Sequence, residues 1–315
     1  MTSDSLHRRS FRAMGSGISI ALQAPSQDAH KALNEAAGWF RQLERSLSRF
    51  DPDSDLCNLN RSSGTPTHVA SPLWEAIRVA LAAAEATEGL VTPTLLQAVE
   101  LAGYDRSFDS LPTDRDEPLP RETPSGPSTL ATDFRGIVLD QVSQTVKLPT
   151  GIQLDLGGTA KGWAADTIAA RLGKVGAIQV DAGGDIAMSG PMLGGQPWKI
   201  AVDSPMQPGA MLGVVQLAWG GIATSGRYYR KWQRNGVWQH HIIDPHTGRP
   251  STTDVVSATV VAATAVAAEV AAKRVLILGS KQGLAWLESE PTLAGLVVTE
   301  AGSVLESERM RHYWQ

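Results

Sequence analysis

Four glycine- and acid-marked segments punctuate the second half of this 315-residue chain. They read D-L-G-G-T-A-K-G (155–162), D-A-G-G-D-I (181–186), T-S-G-R-Y-Y-R (224–230) and H-H-I-I-D-P-H-T-G-R-P (240–250). Most adjoin short apolar runs. Glycine pairs let a backbone turn tightly and come close to a ligand. The pattern therefore reads as short strands ending in turns that gather at one site. Its residue types suit a phosphate-bearing ligand.

The stretches between these turns alternate irregularly between strand and helix patterns. Strands are expected over 18–22, 152–156, 177–180, 198–202, 212–218 and 257–262. Hairpins are expected for 137–139 with 145–148, and for 296–299 with 302–306. A helix over 27–49 follows from Leu33, Ala37, Phe40, Leu43 and Leu47, which recur three and four residues apart. Ser71-Pro72 places a cap before a proline and starts a helix running to Glu88, stopped by Gly89. Further helices are expected over 94–102, 161–172 and 264–278. The segment 105–133, rich in Pro, Asp, Ser, Arg and Thr, reads as a surface loop. Residues 1–10 read as a flexible N-terminus and 11–315 as one domain. There is no regular βαβ spacing, no G-x-G-x-x-G and no G-x-x-x-x-G-K-[ST], so the fold class is α+β, with mixed sheets and flanking helices.

Composition narrows the function. At 42% apolar residues the chain can bury a core, and a net charge of -4 supplies no basic surface to attract nucleic acid. Cys57 is the only cysteine, which excludes an internal disulfide and a thiolate zinc cluster. No run approaches the roughly 20 apolar residues of a membrane span. No apolar signal core follows M-T-S-D-S-L-H-R-R-S. The expected location is cytoplasmic, with no membrane association.

Within the motifs, each reading has a plain alternative. A cation at a helix N-terminus is unfavourable alone, so Lys161 either meets a bound anion there or is a solvated lysine. Asp181 and Asp185 either cap backbone donors in one turn or face a cation or a ligand hydroxyl. Arg227 and Arg230 either pair with a phosphate or carboxylate or lie at the surface. His240, His241 and His246 lack zinc spacing, so a single histidine bonding a ligand fits better. Ser225 lacks the G-x-S-x-G context of a nucleophile.

Together with L-S-R-F-D-P-D-S-D-L-C-N-L-N (47–60), these segments resemble, in order, the FAD:protein FMN transferase (ApbE, thiamine-biosynthesis lipoprotein) family, from about residue 11 to the C-terminus. The resemblance implies an α+β fold with a flavin-binding cleft. It also implies FAD as substrate, magnesium, and transfer of FMN to a threonine hydroxyl of an acceptor protein with release of AMP. Two alternatives stand beside it: a non-catalytic flavin- or nucleotide-binding protein, and a pyrophosphatase splitting FAD into FMN and AMP.

The resemblance places Met14, Gly15 and Ser16 near the flavin. Val91 and Thr92 stand where the family has a phenylalanine and an aspartate near the adenine. Asp155 and Lys161 contact FAD, His241 positions it, and Asp181 and Ser225 complete the binding set. The implied catalytic residues are Asp155, Lys161, Asp244 and His241, with Asp155 or Asp244 taking the acceptor's proton. The implied magnesium positions are the Ala160 carbonyl, Glu269 and Lys273. At the last two the family carries an aspartate and a threonine-like residue. Lys273 lies one turn after Glu269, so the two can form an ion pair. That pair is either a surface salt bridge or a lysine standing in for the metal's charge.

Overall fold

The computed structural model describes residues 5–111, 114–115, 133–234 and 236–314. The span expected as one domain divides into two compact units. The first comprises Met1–Glu44, Thr159–Ser225 and Asp254–Gln315, and the second Arg45–Gly158 and Gly226–Thr253.

The first unit is built on an eight-stranded sheet. In spatial order its strands are β1 (Ser5–Ala13), β2 (Ser16–Ala24), β3 (Ala177–Ala182), β4 (Asp185–Ser189), β5 (Trp219–Gly226), β6 (Val255–Ala262), β7 (Ala294–Thr299) and β8 (Val304–Glu306). From Ser5 onward, β1 corrects the expectation of a flexible N-terminus over 1–10, of which residues 1–4 lie outside the described residues. Ser5 to Ser10 pair residue by residue with Ala24 to Ser19, and their side chains alternate between half-buried and exposed, as on a sheet edge. The β1–β2 turn is Met14-Gly15, with φ of 53° and 65°. The β3–β4 turn is Gly183-Gly184, with φ of 70° and 94°. Positive φ at both central residues matches the twist of a two-residue hairpin. Gly183 is needed for room as well, since a Cβ there would lie 2.7 Å from Ser16 Cβ.

Every residue of β6 and β7 is buried, so these strands are covered on both faces. In chain order, helices α1 (Ser26–Leu47), α2 (Asp55–Arg61), α3 (Ser71–Ala86) and α4 (Leu96–Leu101) come before α5 (Ala160–Leu172), which packs on β3 and β4; α6 (Ala265–Leu278) packs on β6, and α5 and α6 touch each other. Alanines along both buried faces allow that approach.

In the second unit, Ser54 caps the short helix Asp55–Arg61, its Oγ accepting from Cys57 N at 3.0 Å. Pro72 opens the helix Ser71–Ala86, and Ala70, rather than Ser71, is the cap residue. The helix ends before Glu88 and Gly89, both at positive φ. Among the described residues three small sheets accompany these helices: one of Thr67–His68, Thr145–Lys147 and Val138–Asp140, one of Val237–His240, Lys231–Arg234 and Asp114–Arg115, and one of Ile243–Asp244 with Arg249–Pro250. Trp232 anchors a core with Ala98, Val99, Tyr104 and Ile243, and its indole N–H donates to Ala102 O at 2.9 Å. The expected strand over 152–156 is not one. Its apolar side chains are buried as expected. Its central residue, however, is satisfied by a side chain: Leu154 N donates to Asn60 Oδ1 (2.8 Å) and Asn60 Nδ2 to Leu154 O (3.0 Å). An amide side chain here takes the place of a neighbouring strand. Most of the loop expected over 105–133 lies outside the described residues.

Candidate functional site

The candidate residues divide between the units, and the first holds the denser group. Lys161 is the second residue of α5. Its ammonium donates to Asp185 and, at 3.2 Å, to Glu269 Oε1. Asp185 opens β4, directly after the Gly183-Gly184 turn. Glu269 projects from α6 and is fully buried. Its Oε2 accepts from Gly162 N at 3.0 Å, and its Oε1 also accepts from Lys273 Nζ at 2.9 Å. Burial pushes Glu269 towards its neutral form, but Lys161, Lys273 and the Gly162 N–H outweigh it and hold the carboxyl below its ordinary range. The Glu269–Lys273 ion pair forms as its spacing predicts. The surface salt bridge among the alternatives is corrected, because the carboxylate lies in the α5–α6 seam with no exposed surface.

Other expected binding residues sit at the same end of this sheet. The Met14–Ser16 turn lies beside the β3–β4 turn, with Ser16 packed on Gly183. Met14 N donates to Glu44 Oε1 at 2.8 Å. Asp181 Oδ1 accepts from Gly184 N at 2.8 Å and so closes its own turn. Burial raises the Asp181 pKa, opposed by the turn N–H groups and the charge of Lys161. Ser225 is buried on β5, two residues beyond the Ala223–Asp185 pair. Thus D-A-G-G-D splits its acids between the two expected tasks: Asp181 caps the turn and Asp185 meets a cation.

The second unit holds Val91, Thr92, Asp155, His241 and Asp244. Asp155 Oδ1 accepts from Gly157 N at 2.8 Å, and Oδ2 lies 3.2 Å from Arg49 Nε. Arg49 is itself buried, its guanidinium 4.1 Å from the Phe50 ring centre and 4.5 Å from that of Tyr104. Val91 is buried, and its N–H donates to Thr87 Oγ1 at 3.0 Å. The Thr92 hydroxyl is 2.8 Å from that of Thr94. Asp244 Oδ1 accepts from His246 N at 2.9 Å, so this carboxylate serves its own turn. His241 is half-buried. Its neighbour His240 is fixed as a neutral imidazole, Nε2 donating to Ser251 O (2.9 Å) and Nδ1 accepting from Ile242 N (3.3 Å).

Two functional-looking groups escape the sequence reading. Arg49 precedes the phenylalanine of L-S-R-F. Asp166 on α5 caps α6 from another helix, accepting from Ala265 N (2.7 Å) and Val266 N (2.9 Å). A helix-capping acid so distant in sequence leaves no local signature.

The residues at the implied metal position do not suit a divalent cation. Magnesium requires oxygen ligands in near-octahedral array. Both Glu269 oxygens are already acceptors, one of them shared by two ammonium groups. A dication on that oxygen would lie ~5 Å from each lysine, a repulsion on the order of 7 kcal/mol apiece at an effective dielectric near 20. Among the described residues, no group of three or more His, Cys, Asp or Glu side chains is arranged to hold a metal ion.

Comparison with known proteins matches this arrangement to one family. A family model described as the ApbE family matches residues 14–297. The FAD:protein FMN transferase of Treponema pallidum (strain Nichols) is 32% identical over 301 residues, covering 89% of this chain and 80% of that protein. The enzyme of the same description from Vibrio cholerae (strain O395) is 28% identical, covering 88% and 82%. The crystal structure of the ApbE protein from Thermotoga maritima superposes with a TM-score of 0.86 at 26% identity, covering 99% of this chain and all of that one. The match overturns the expected cytoplasmic location, because proteins of this family are lipoproteins typically anchored at the periplasmic face of the membrane. No helix among the described residues is long and apolar enough to cross a membrane.

Proposed function

The chain belongs to the ApbE family, and we propose on that premise that it is an FAD:protein FMN transferase. In this reaction an acceptor threonine hydroxyl attacks the FMN-side phosphorus of the FAD pyrophosphate. A new P–O bond to threonine forms, the bond from that phosphorus to the bridging oxygen breaks, and AMP leaves. The hydroxyl proton passes to a base. Negative charge grows on the bridging and equatorial oxygens, so catalysis requires fixed positive charge and donors beside them.

The observation that carries this reading is the closure of two motifs on each other, with Lys161 of D-L-G-G-T-A-K-G bound to Asp185 of D-A-G-G-D-I. It puts a held ammonium at the start of α5, at the sheet end that also carries Met14–Ser16 and Ser225. In this scheme Lys161 stabilises pyrophosphate charge, while Met14, Gly15, Ser16 and Ser225 shape the flavin side. For the second unit, the family resemblance gives Asp155, held by Arg49 and Gly157, and His241 roles in binding FAD, and gives Val91 and Thr92 the positions of the family's adenine-side pair. Asp155 and Asp244 are the expected proton acceptors. Magnesium is given no step, because Ala160, Glu269 and Lys273 offer no open set of ligands to it.

The test is to incubate the purified protein with FAD and a threonine-bearing acceptor, following AMP by chromatography and the acceptor by mass spectrometry. The expected result is AMP matched mole for mole by flavinylated acceptor. AMP without modified acceptor would assign a pyrophosphatase instead. Bound FAD with neither product would leave a flavin-binding protein and refute the transferase.

A further inference from the structure

We propose that Lys161 and Lys273 perform in this chain the charge role of a divalent cation, so that it binds the dinucleotide pyrophosphate without a metal ion. The proposal takes its ligand from the transferase reading, while its geometry stands apart from that reading. The Glu269 carboxylate has no oxygen left for an ion: Oε1 receives both ammonium groups, at 3.2 and 2.9 Å, and Oε2 receives the Gly162 N–H at 3.0 Å. Asp185 holds Lys161 from its other side. Two lysines thus face two carboxylates, but the opposite charges are not equally accessible. The side chains of Lys161 and Lys273 are 14% and 13% exposed, those of Asp185 and Glu269 4% and 0%. The acids lie deeper and the lysines are the more exposed, so an incoming ligand meets mainly positive charge. A metal-binding carboxylate site has the reverse polarity, with oxygens turned towards the ion. The cluster is also built to be fixed. Gly162 lets α6 come so close that a Cβ there would lie 2.9 Å from Glu269 Oε2.

The experiment uses the full chain and Lys273→Thr. Mn2+ binding to the apo protein is measured by electron paramagnetic resonance, and FAD affinity by calorimetry in EDTA and in millimolar magnesium. The wild type should show no stoichiometric Mn2+ site and the same FAD affinity in both buffers. Lys273→Thr should gain one Mn2+ site. It should lose FAD affinity in EDTA by about tenfold, equal to ~1.4 kcal/mol, and recover it with magnesium. Stoichiometric Mn2+ on the wild type, or wild-type FAD affinity rising about tenfold with magnesium, would overturn the proposal. So would a folded Lys273→Thr that still excludes Mn2+. If neither protein binds FAD, the transferase reading fails, and the Mn2+ comparison still decides the role of the lysines. If Lys273→Thr does not fold, Lys273→Gln replaces it, and the wild-type measurements stand on their own.

Discussion

Replacing Gly162 with alanine tests how the α5–α6 seam is made. The added Cβ would meet Val266 Cα at 2.7 Å, Val266 N at 2.8 Å and Glu269 Oε2 at 2.9 Å. Two of these atoms are backbone, so relief requires the helices to part by roughly 1 Å to reach ordinary carbon contact distances. Overpacking of this kind costs about 1–3 kcal/mol. The same movement breaks the 3.0 Å bond from Gly162 N to the Glu269 carboxylate, and a hydrogen bond to a charged group contributes about 1.5–3 kcal/mol. Alanine's better helix propensity returns about 1 kcal/mol. The net expectation is a loss of about 1.5–5 kcal/mol, read as a lower urea midpoint at unchanged slope. Gly38 is the matched control. It lies inside the helix Ser26–Leu47, and a Cβ there has nothing within 4 Å. Gly38→Ala should therefore stabilise, by up to about 1 kcal/mol. If Gly162→Ala behaves like Gly38→Ala, close helix approach is not what this glycine provides.

Two further expectations concern pH. Burial, reinforced by Glu269 and only partly opposed by the Ala265 and Val266 N–H groups, raises Asp166 from 3.8 to about 6. The native state therefore favours protonated Asp166, and this stabilisation, full below pH 3.8, fades as pH rises through about 6. The span corresponds to about 3 kcal/mol. Asp166→Asn should remove this component from denaturation free energies measured between pH 4 and 7, and an unchanged slope would refute it. His240 acts in the opposite sense. Burial, aided by Arg227 and opposed by its bond to Ser251, lowers it from 6.5 to about 4. Its contribution is complete above pH 6.5 and is lost as pH falls through about 4, again about 3 kcal/mol. In His240→Gln the acid-side loss of stability between pH 6.5 and 4 should shrink by that amount. An identical acid limb would mean that the imidazole does not titrate between the folded and unfolded states.

Periodicity and turn chemistry made much of this legible in the sequence. The apolar stripe of the helix Ser26–Leu47 is buried as its spacing requires, and the two glycine-marked segments that adjoin α5 and β4 sit where their residues indicate. The failures have a common cause. β1 carries L-H-R-R-S-F-R, whose charges hide an edge strand because only alternate side chains contact the protein. The run 152–156 is apolar like a strand, but at its centre Leu154 takes its backbone bonds from the side chain of Asn60, more than ninety residues earlier. The Lys161–Asp185–Glu269 cluster joins three separate segments. Local pattern shows which side chains are to be buried, and it does not show which distant group completes them.

The first unit also has an order of assembly written into its topology. β1 and β2 leave the ribosome together and can pair at once through the Met14-Gly15 turn. The other edge of β2 is destined for β3, where Ile20 meets Val180, and the whole of the second unit's first segment is synthesised between them. Long-range pairing of this kind carries a loop-closure cost and is slow. Until β3 arrives, the Ser16–Ala24 strand presents an unpaired apolar edge, the usual template for misassociation. The basic side chains of β1, set along the far edge of the same hairpin, act as its gatekeepers during that wait.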